Sequence, residues 1–418
     1  MRDGDARDEA AREEVCLSTG RRWPAACALV LTACGGGSSA PPILLEAVTT
    51  TSTTAGGSLV DGTKAGDVPL SAATVPDDST TEPDGVVSSG PGAGSVTVAT
   101  DNATTTTLPP LTPENAPRVQ WQGGTDYLLG ANLPWYGWGC DFGCGASAGG
   151  VSDPATSDVI GPALDSAKAA GMDIVRWWLF PGQPTQFTVD AAGLPNGIVP
   201  EVYEDIDAAL VLADRSDVSY VFTLFSGPND LPAAWLTTEP GRARLTEMLA
   251  VLFAHYRNAE RIMTWQVMNE PEWDIWDGHV AMSDVQDLVR KVAYAVHAES
   301  RALVSVGGAR LDGLPIWQGL GLDYYTVHWY DPMKKAGECL PCVTYAQIRD
   351  GFGIDAPIVV GEFYLGPDVD GDARLDSFRA HGYAGSFAWS LMPDRTADHL
   401  TIDLEAAARF ATRLEVDG

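Results

Sequence analysis

An eight-fold β/α barrel, an α/β fold, is what residues 114–418 predict, and three observations predict it. Eight apolar runs rich in β-branched and aromatic residues alternate with amphipathic stretches of helical period. The runs recur at the spacing of β/α units, with longer connections after the first, second and sixth. Two of them break off abruptly in a carboxylate, at Glu270 and Glu362. A carboxylate at the tip of a buried strand is badly placed for stability and well placed for chemistry at a barrel mouth.

The strands are justified in order. YLLGANLP (127–134) is the first, followed by the helical VIGPALDSAKAAG. DIVRWWLF (173–180) carries Arg176 and leads to YEDIDAALVLADR. VSYVFTLF (218–225) precedes GRARLTEMLAVLFAHYR. RIMTWQVM (261–268) stops at Asn269-Glu270-Pro271, where proline forbids continuation, and DVQDLVRKVAYAVHAE follows. ALVSVGG (302–308), DYYTVHWY (323–330), PIVVGEF (357–363) and GSFAWSL (385–391) complete the set.

The first part of the 418-residue chain is different. Arg21-Arg22 and the apolar residues 23–34 read as a secretory signal, too short to span a membrane as a mature helix. Leu31-Thr32-Ala33-Cys34 resembles the lipobox of bacterial lipoproteins, which would make Cys34 the lipidated new N-terminus. A plain signal peptide with a chance cysteine is the alternative. The charged residues 1–14 ahead of it imply a start assigned too far upstream. Residues 35–113, mostly Thr, Ser, Gly, Ala and Pro, lack the apolar density for a core and read as a disordered spacer. The chain thus divides into 1–34, 35–113 and a catalytic domain, 114–418.

In such a barrel the working residues gather at the C-terminal strand ends. There the chain offers Arg176, Asn269, Glu270, His328, Tyr330, Glu362 and Trp389. Each alone has a structural explanation: a salt bridge for Arg176, core for Trp389, local hydrogen bonds for His328 and Tyr330. Seven such residues at one rim are hard to explain as packing. Two glutamates capping two interior strands are what cleavage of a glycosidic bond needs: one protonates the leaving oxygen and the other attacks the sugar. The attacking carboxylate must be ionised, so a cation and donors beside Glu362 are helpful. The acid must hold its proton, which a neighbouring carboxylate favours. Retention of configuration requires carboxyls about 5–5.5 Å apart.

The ordered set resembles the clan of retaining β-glycosidases with an eight-fold β/α barrel, most closely glycoside hydrolase family five, the cellulase and mannanase family. The resemblance covers about residues 122–415. It rests on Asn269-Glu270-Pro271, His328-Trp329-Tyr330, Gly361-Glu362 and Trp389. It implies Glu270 as acid/base and Glu362 as nucleophile. Asn269 would bind the sugar 2-hydroxyl, Arg176 and Tyr330 would hold the Glu362 carboxylate, His328 would sit beside the pair, and Trp389 would floor the subsite left of the cleaved bond. It implies a poly- or oligosaccharide of cellulose, mannan or β-glucan type as substrate. One departure stands out: a histidine common near the end of the third strand is replaced here by Phe225, Ser226 and Asn229.

Further expectations follow from composition. Trp135, Tyr136, Trp138, Trp177, Trp178, Trp273, Trp276, Trp329 and Tyr364 crowd the rim, and about half should touch solvent, where they suit stacking on sugar rings. Of the adjacent pair Trp177 and Trp178, at most one can face the barrel interior. An extended cleft would mean endo action and a closed pocket exo action. Cys140, Cys144, Cys339 and Cys342 suggest two disulfides, most simply Cys140–Cys144 and Cys339–Cys342, though three pairings are open and a four-cysteine zinc site is the rival. The loop Asp368-Val369-Asp370-Gly371-Asp372 has some calcium-loop character, but Ala373 stands where the pattern needs glycine. No cofactor or metal is expected.

With 26 Lys+Arg against 56 Asp+Glu, the net charge of −30 argues against nucleic acid and anionic membrane surfaces as partners. An uncharged carbohydrate partner, a monomeric state and an extracytoplasmic location, with membrane contact only through a lipid anchor, are expected. A transglycosylase using the same site is a second reading. A non-catalytic glycan-binding lipoprotein is a third, which the glutamate pair disfavours.

Overall fold

The computed structural model describes residues 112–124, 126–182, 185–335, 339–392 and 402–417. The signal segment with Cys34, and all but the last two residues of the 35–113 spacer, lie outside the described residues. Eight parallel strands form one sheet: β1 (Leu128–Asn132), β2 (Ile174–Phe180), β3 (Ser219–Phe225), β4 (Ile262–Asn269), β5 (Leu303–Gly307), β6 (Tyr325–Trp329), β7 (Ile358–Tyr364) and β8 (Gly385–Trp389). Their order is β5-β4-β3-β2-β1-β8-β7-β6, so β8 returns to pair with β1. At the β5/β6 seam no ladder pair is present among the described residues. The Asp323 N–H donates to the Val304 carbonyl at 3.0 Å and the Thr326 hydroxyl to the Val306 carbonyl at 2.7 Å, stitching the two strands into a nearly closed barrel.

Seven of the described helices clad it: α1 (Pro154–Ala169), α2 (Pro200–Ser216), α3 (Glu239–His255), α4 (Met282–Glu299), α5 (Tyr345–Phe352), α6 (Gly371–Ala380) and α7 (Leu404–Asp417). Their starts are set locally. Asp153 accepts from the Ala155 N–H with Pro154 in the first turn, and Thr344 and Gln347 make a capping box. After β5 a 3-10 turn, Leu311–Trp317, stands where the pattern predicts an α-helix, because Gly313 and Pro315 disfavour one. A hairpin of Phe187–Val189 with Pro195–Ile198, absent from the eight-strand reading, lies between β2 and α2. Its strands are too short for periodicity, and its turn is held by Asp190, whose carboxylate accepts from Ala192 and Leu194 N–H.

Burial divides by strand parity. On β2, Val175, Trp177 and Leu179 join the core shared with the helices, while Ile174 lies in the barrel's lower interior with Val221, Met263, Val359 and Phe387. Val119, ahead of β1, joins that apolar plug. Above it lies a polar layer, Arg176, Thr223, Gln266 and Ser305. The apolar lower end supports the fold and leaves the upper rim for chemistry. No described helix is long and apolar enough to cross a membrane.

Candidate active site

The upper rim is organised by Arg176, which is fully buried. Its Nη1 donates to Glu362 Oε1 at 2.6 Å and to Asn132 Oδ1 at 3.0 Å, its Nη2 to Asn269 Oδ1 at 2.6 Å, and its Nε to Gln266 Oε1 at 2.6 Å. The guanidinium also lies 4.2 Å from the Trp178 ring centroid. One side chain thus fixes groups from β1, β4 and β7. The Tyr330 hydroxyl donates to Glu362 Oε2 at 2.8 Å. Glu362 therefore sits between a cation and a hydroxyl donor.

Glu270 stands in a different environment. Burial pushes its carboxyl up to about 7, against the pull of the Trp273 indole N–H on Oε2 at 3.0 Å. Its side chain keeps 23% exposure, so it is desolvated yet reachable. Its backbone φ is +43°, a left-handed setting that costs a non-glycine residue on the order of 1–3 kcal/mol. The strand run predicts the carboxylate's position; it carries no signal for this twist. His328 Nδ1 lies 2.7 Å from Glu270 Oε1 and 3.4 Å from Glu362 Oε1. Burial pushes the imidazole down to about 3, so a neutral ring hydrogen-bonds Glu270 and neither contact is an ion pair.

One donor atom each from Glu270, His328 and Glu362 lie within 4.8 Å of one another. Such a set can ligate a metal in principle. Here Glu362 already accepts from the Arg176 guanidinium and His328 Nδ1 lies against Glu270, so these atoms are engaged within the protein itself. One oxygen of Glu270 and one of Glu362 lie within 4.8 Å of each other, the closeness that a retaining pair, at about 5–5.5 Å between carboxyls, requires.

All seven rim residues named from sequence meet here except Trp389, which stands one step aside, edge-on to Trp178 with centroids 5.7 Å apart. Asn132, Gln266 and Thr223 were not anticipated. A polar residue inside an apolar strand, on the face that also carries Arg176, was the available signal. Glu272 was missed too. It is fully buried, accepts from the Trp317 indole N–H at 2.7 Å and from the Ala309 N–H at 3.1 Å, and burial pushes it up to about 7. At the variant third strand, Asn229 bonds Asp274, and the Ser226 hydroxyl accepts from Gly182 N–H at 3.3 Å.

The long β1 loop is wrapped around two buried carboxylates. Asp141 accepts from the N–H groups of Tyr136 and Gly137 and from the Trp177 indole, and Asp205 of α2 accepts from Gly143, Gly145 and Ser152. Disulfides link Cys140 to Cys144 and Cys339 to Cys342. Of the rim aromatics, Trp177, Trp178 and Trp329 are buried and six are at least partly exposed, more than the expected half. Trp178 faces the interior over Arg176, and Trp177 packs outward against Phe142. In the 368–372 loop, Asp368 accepts from the Tyr364 hydroxyl, Asp370 caps α6 and Asp372 pairs with Arg409 and Arg413, so these acids serve the protein itself.

A nearly closed parallel barrel with two close carboxylates in different surroundings at its C-terminal rim defines a retaining β-glycoside hydrolase. The chain is similar to the mannan endo-1,4-β-mannosidase of Mytilus edulis, 23% identical over 322 residues that span 65% of this chain and 85% of that protein. It is likewise similar to the mannan endo-1,4-β-mannosidase of Cryptopygus antarcticus, 21% identical over 63% of this chain and 80% of that protein. The fold matches the β-mannanase structure from Mytilus edulis, with a TM-score of 0.57, 20% identity and coverage of 70% and 92% of the two chains. It matches the β-1,4-D-mannanase structure from Cryptopygus antarcticus with a TM-score of 0.59, 17% identity and coverage of 72% and 93%. No protein-family model matches the chain.

Proposed function

We propose that this protein is an endo-acting β-1,4-mannan hydrolase working by double displacement, with Glu362 as nucleophile and Glu270 as acid/base. The observation that carries the reading is the closeness of two carboxylates in opposite surroundings, one paired with Arg176 and Tyr330, the other desolvated. Glu362 would attack the anomeric carbon while Glu270 gives its proton to the departing glycosidic oxygen. The ester formed at Glu362 removes one negative charge, so Glu270 can then take a proton from water as it attacks the same carbon. Asn269, held by Arg176, would meet the sugar 2-hydroxyl, and Trp389 would carry the sugar at the reacting centre. Mannan as substrate rests on the names of the relatives.

Endo action rests on the spread of aromatics. Trp135, Trp138, Trp178 and Trp389 lie on the β8–β1–β2 arc, and Trp273 and Trp276 lie on the β4 arc. Trp138, half exposed, rests against Trp135 at 4.4 Å at the outer end of the first file. Trp138→Ala is expected to raise KM for mannan about 2- to 12-fold, the worth of one ring contact, and to leave short aryl mannosides unchanged. Equal effects on both substrates would place Trp138 outside the cleft.

A hydrolysis screen tests the whole reading. The full chain is offered β-mannan, carboxymethylcellulose, mixed-linkage β-glucan and xylan, with product analysis to separate hydrolysis from transfer to another sugar. Preferred cleavage of mannan to mixed oligosaccharides is expected. Silence on mannan from folded protein would overturn the substrate, and release of mannose alone would overturn endo action. The raised carboxyl of Glu270 adds a pH signature. Only the protonated acid works, so a value near 7, against 4.5 for an ordinary glutamate, keeps kcat/KM high up to about pH 7 and lets it fall tenfold per unit above. A basic limb near pH 5, with activity already falling as pH rises through it, would contradict the assignment.

The two disulfides and the apolar segment before Cys34 support a place outside the cytoplasm with Cys34 as lipid anchor, and the net charge of −30 argues against a nucleic-acid partner.

A further inference from the structure

We propose that Glu272, which no step above uses, is a positioning residue that holds Glu270 in its working orientation by clamping the turn after β4 to the end of β5. The inference rests on Glu270 being the acid/base. Three contacts carry it. The Glu270 N–H donates to the Gly307 carbonyl at 2.6 Å. Two residues on, Glu272 Oε2 accepts from the Ala309 N–H at 3.1 Å, and Oε1 accepts from the Trp317 indole at 2.7 Å. The turn 270–272 is therefore fastened at both ends to residues 307–309, and through Trp317 to the 3-10 turn that replaces a helix after β5.

The cradle is built to admit this carboxylate. A Cβ on Gly308 would lie 3.3 Å from Glu272 Oε1 and 2.3 Å from the Thr326 carbonyl, and one on Gly313 would lie 2.8 Å from Oε1. On the other side, a Cβ on Gly307 would lie 2.7 Å from Arg176 Nη2. The segment Gly307–Ala309 is thus gripped between the guanidinium that serves Glu362 and the carboxylate that anchors the Glu270 turn. A left-handed glutamate backbone persists only where its surroundings over-determine it, and these contacts supply that constraint.

A buried carboxylate could instead stabilise the barrel with no bearing on the chemistry. Leaving-group dependence separates the two. Wild type, Glu272→Gln and Glu270→Ala are compared in the full chain on β-mannan and on a dinitrophenyl β-mannobioside, whose leaving group departs without protonation. The amide of Glu272→Gln can accept from only one of the two donors, so the clamp loosens with little change in volume. Its kcat/KM is expected to fall about thirtyfold on mannan, part of the 10²- to 10⁴-fold a general acid supplies, and to stay within about threefold on the activated substrate. Trp317→Phe, which removes one donor and keeps the carboxylate, should give a smaller effect of the same selectivity, and it decides the matter if Glu272→Gln does not fold. Equal losses on both substrates, or none on mannan, would overturn the proposal while Glu270→Ala remains selective. If Glu270→Ala itself loses both activities equally, the acid/base assignment falls and this inference falls with it.

Discussion

Replacing Glu362 with alanine is expected to lower kcat on mannan by at least about 10⁴-fold, or roughly 5 kcal/mol of transition-state stabilisation. Without the carboxylate no ester can form, and the remaining groups cannot supply an attacking atom. The domain should still fold. Arg176 keeps Asn132, Gln266 and Asn269 as acceptors, and water entering the vacated space would hydrate the guanidinium. Added azide should enter that space beside Arg176, attack the anomeric carbon and restore part of the cleavage. The product would be a glycosyl azide of inverted configuration, because one displacement has replaced two. The measurement is product analysis by NMR. Full activity in Glu362→Ala would sink the nucleophile assignment, and an azide product of retained configuration would move that role to another residue.

Arg176→Met is expected to have the second largest effect, and it should strike both stability and rate. Methionine fills much of the volume and supplies none of the donors, so Glu362, Asn269, Gln266 and Asn132 each lose a partner. Removing one side of a buried ion pair costs about 3–5 kcal/mol. At roughly 2 °C per kcal/mol for a domain of this size, Tm should fall by about 6–10 °C. Turnover by the folded fraction should drop about 10²- to 10³-fold, because Glu362 and Asn269 lose a common anchor on rigid strands. Arg176→Lys should recover little of it, since one ammonium cannot reach four acceptors in a fixed fork. Melting curves together with kcat on folded protein test this. Unchanged turnover in Arg176→Met would mean that Glu362 is held in place by Tyr330 alone.

The sequence by itself determined the barrel, its strand order and the positions of Glu270 and Glu362. Those features are local. An apolar run records burial, its abrupt end in a carboxylate records a rim, and alternation with amphipathic stretches records a parallel sheet with helices outside. Asn269, His328 and Tyr330 were legible for the same reason, since each lies at or near the end of such a run, whereas Arg176 is third in β2 and was legible as a lone cation in an apolar strand. The expected helix after β5 and the overlooked hairpin show where local patterns stop: a Gly-Pro stretch admits more than one conformation, and three residues are too few to show a period.

Only the tertiary structure decided what those residues touch. Arg176 and Glu362 are 186 residues apart in sequence, and Arg176 and Gln266 are 90 apart. Barrel closure brings them to 2.6 Å, and nothing in the individual strands encodes that distance. Glu272 and Asp205 read as ordinary helix carboxylates because the default for an isolated acid is solvent, yet both are fully buried against backbone N–H groups from distant segments. The raised carboxyl of Glu270 and the neutral imidazole of His328 likewise follow from desolvation, a property of the assembled rim. Patterning reports which side of an element faces a core. Closure of the barrel decides which groups meet there, and their meeting raises the carboxyl of Glu270.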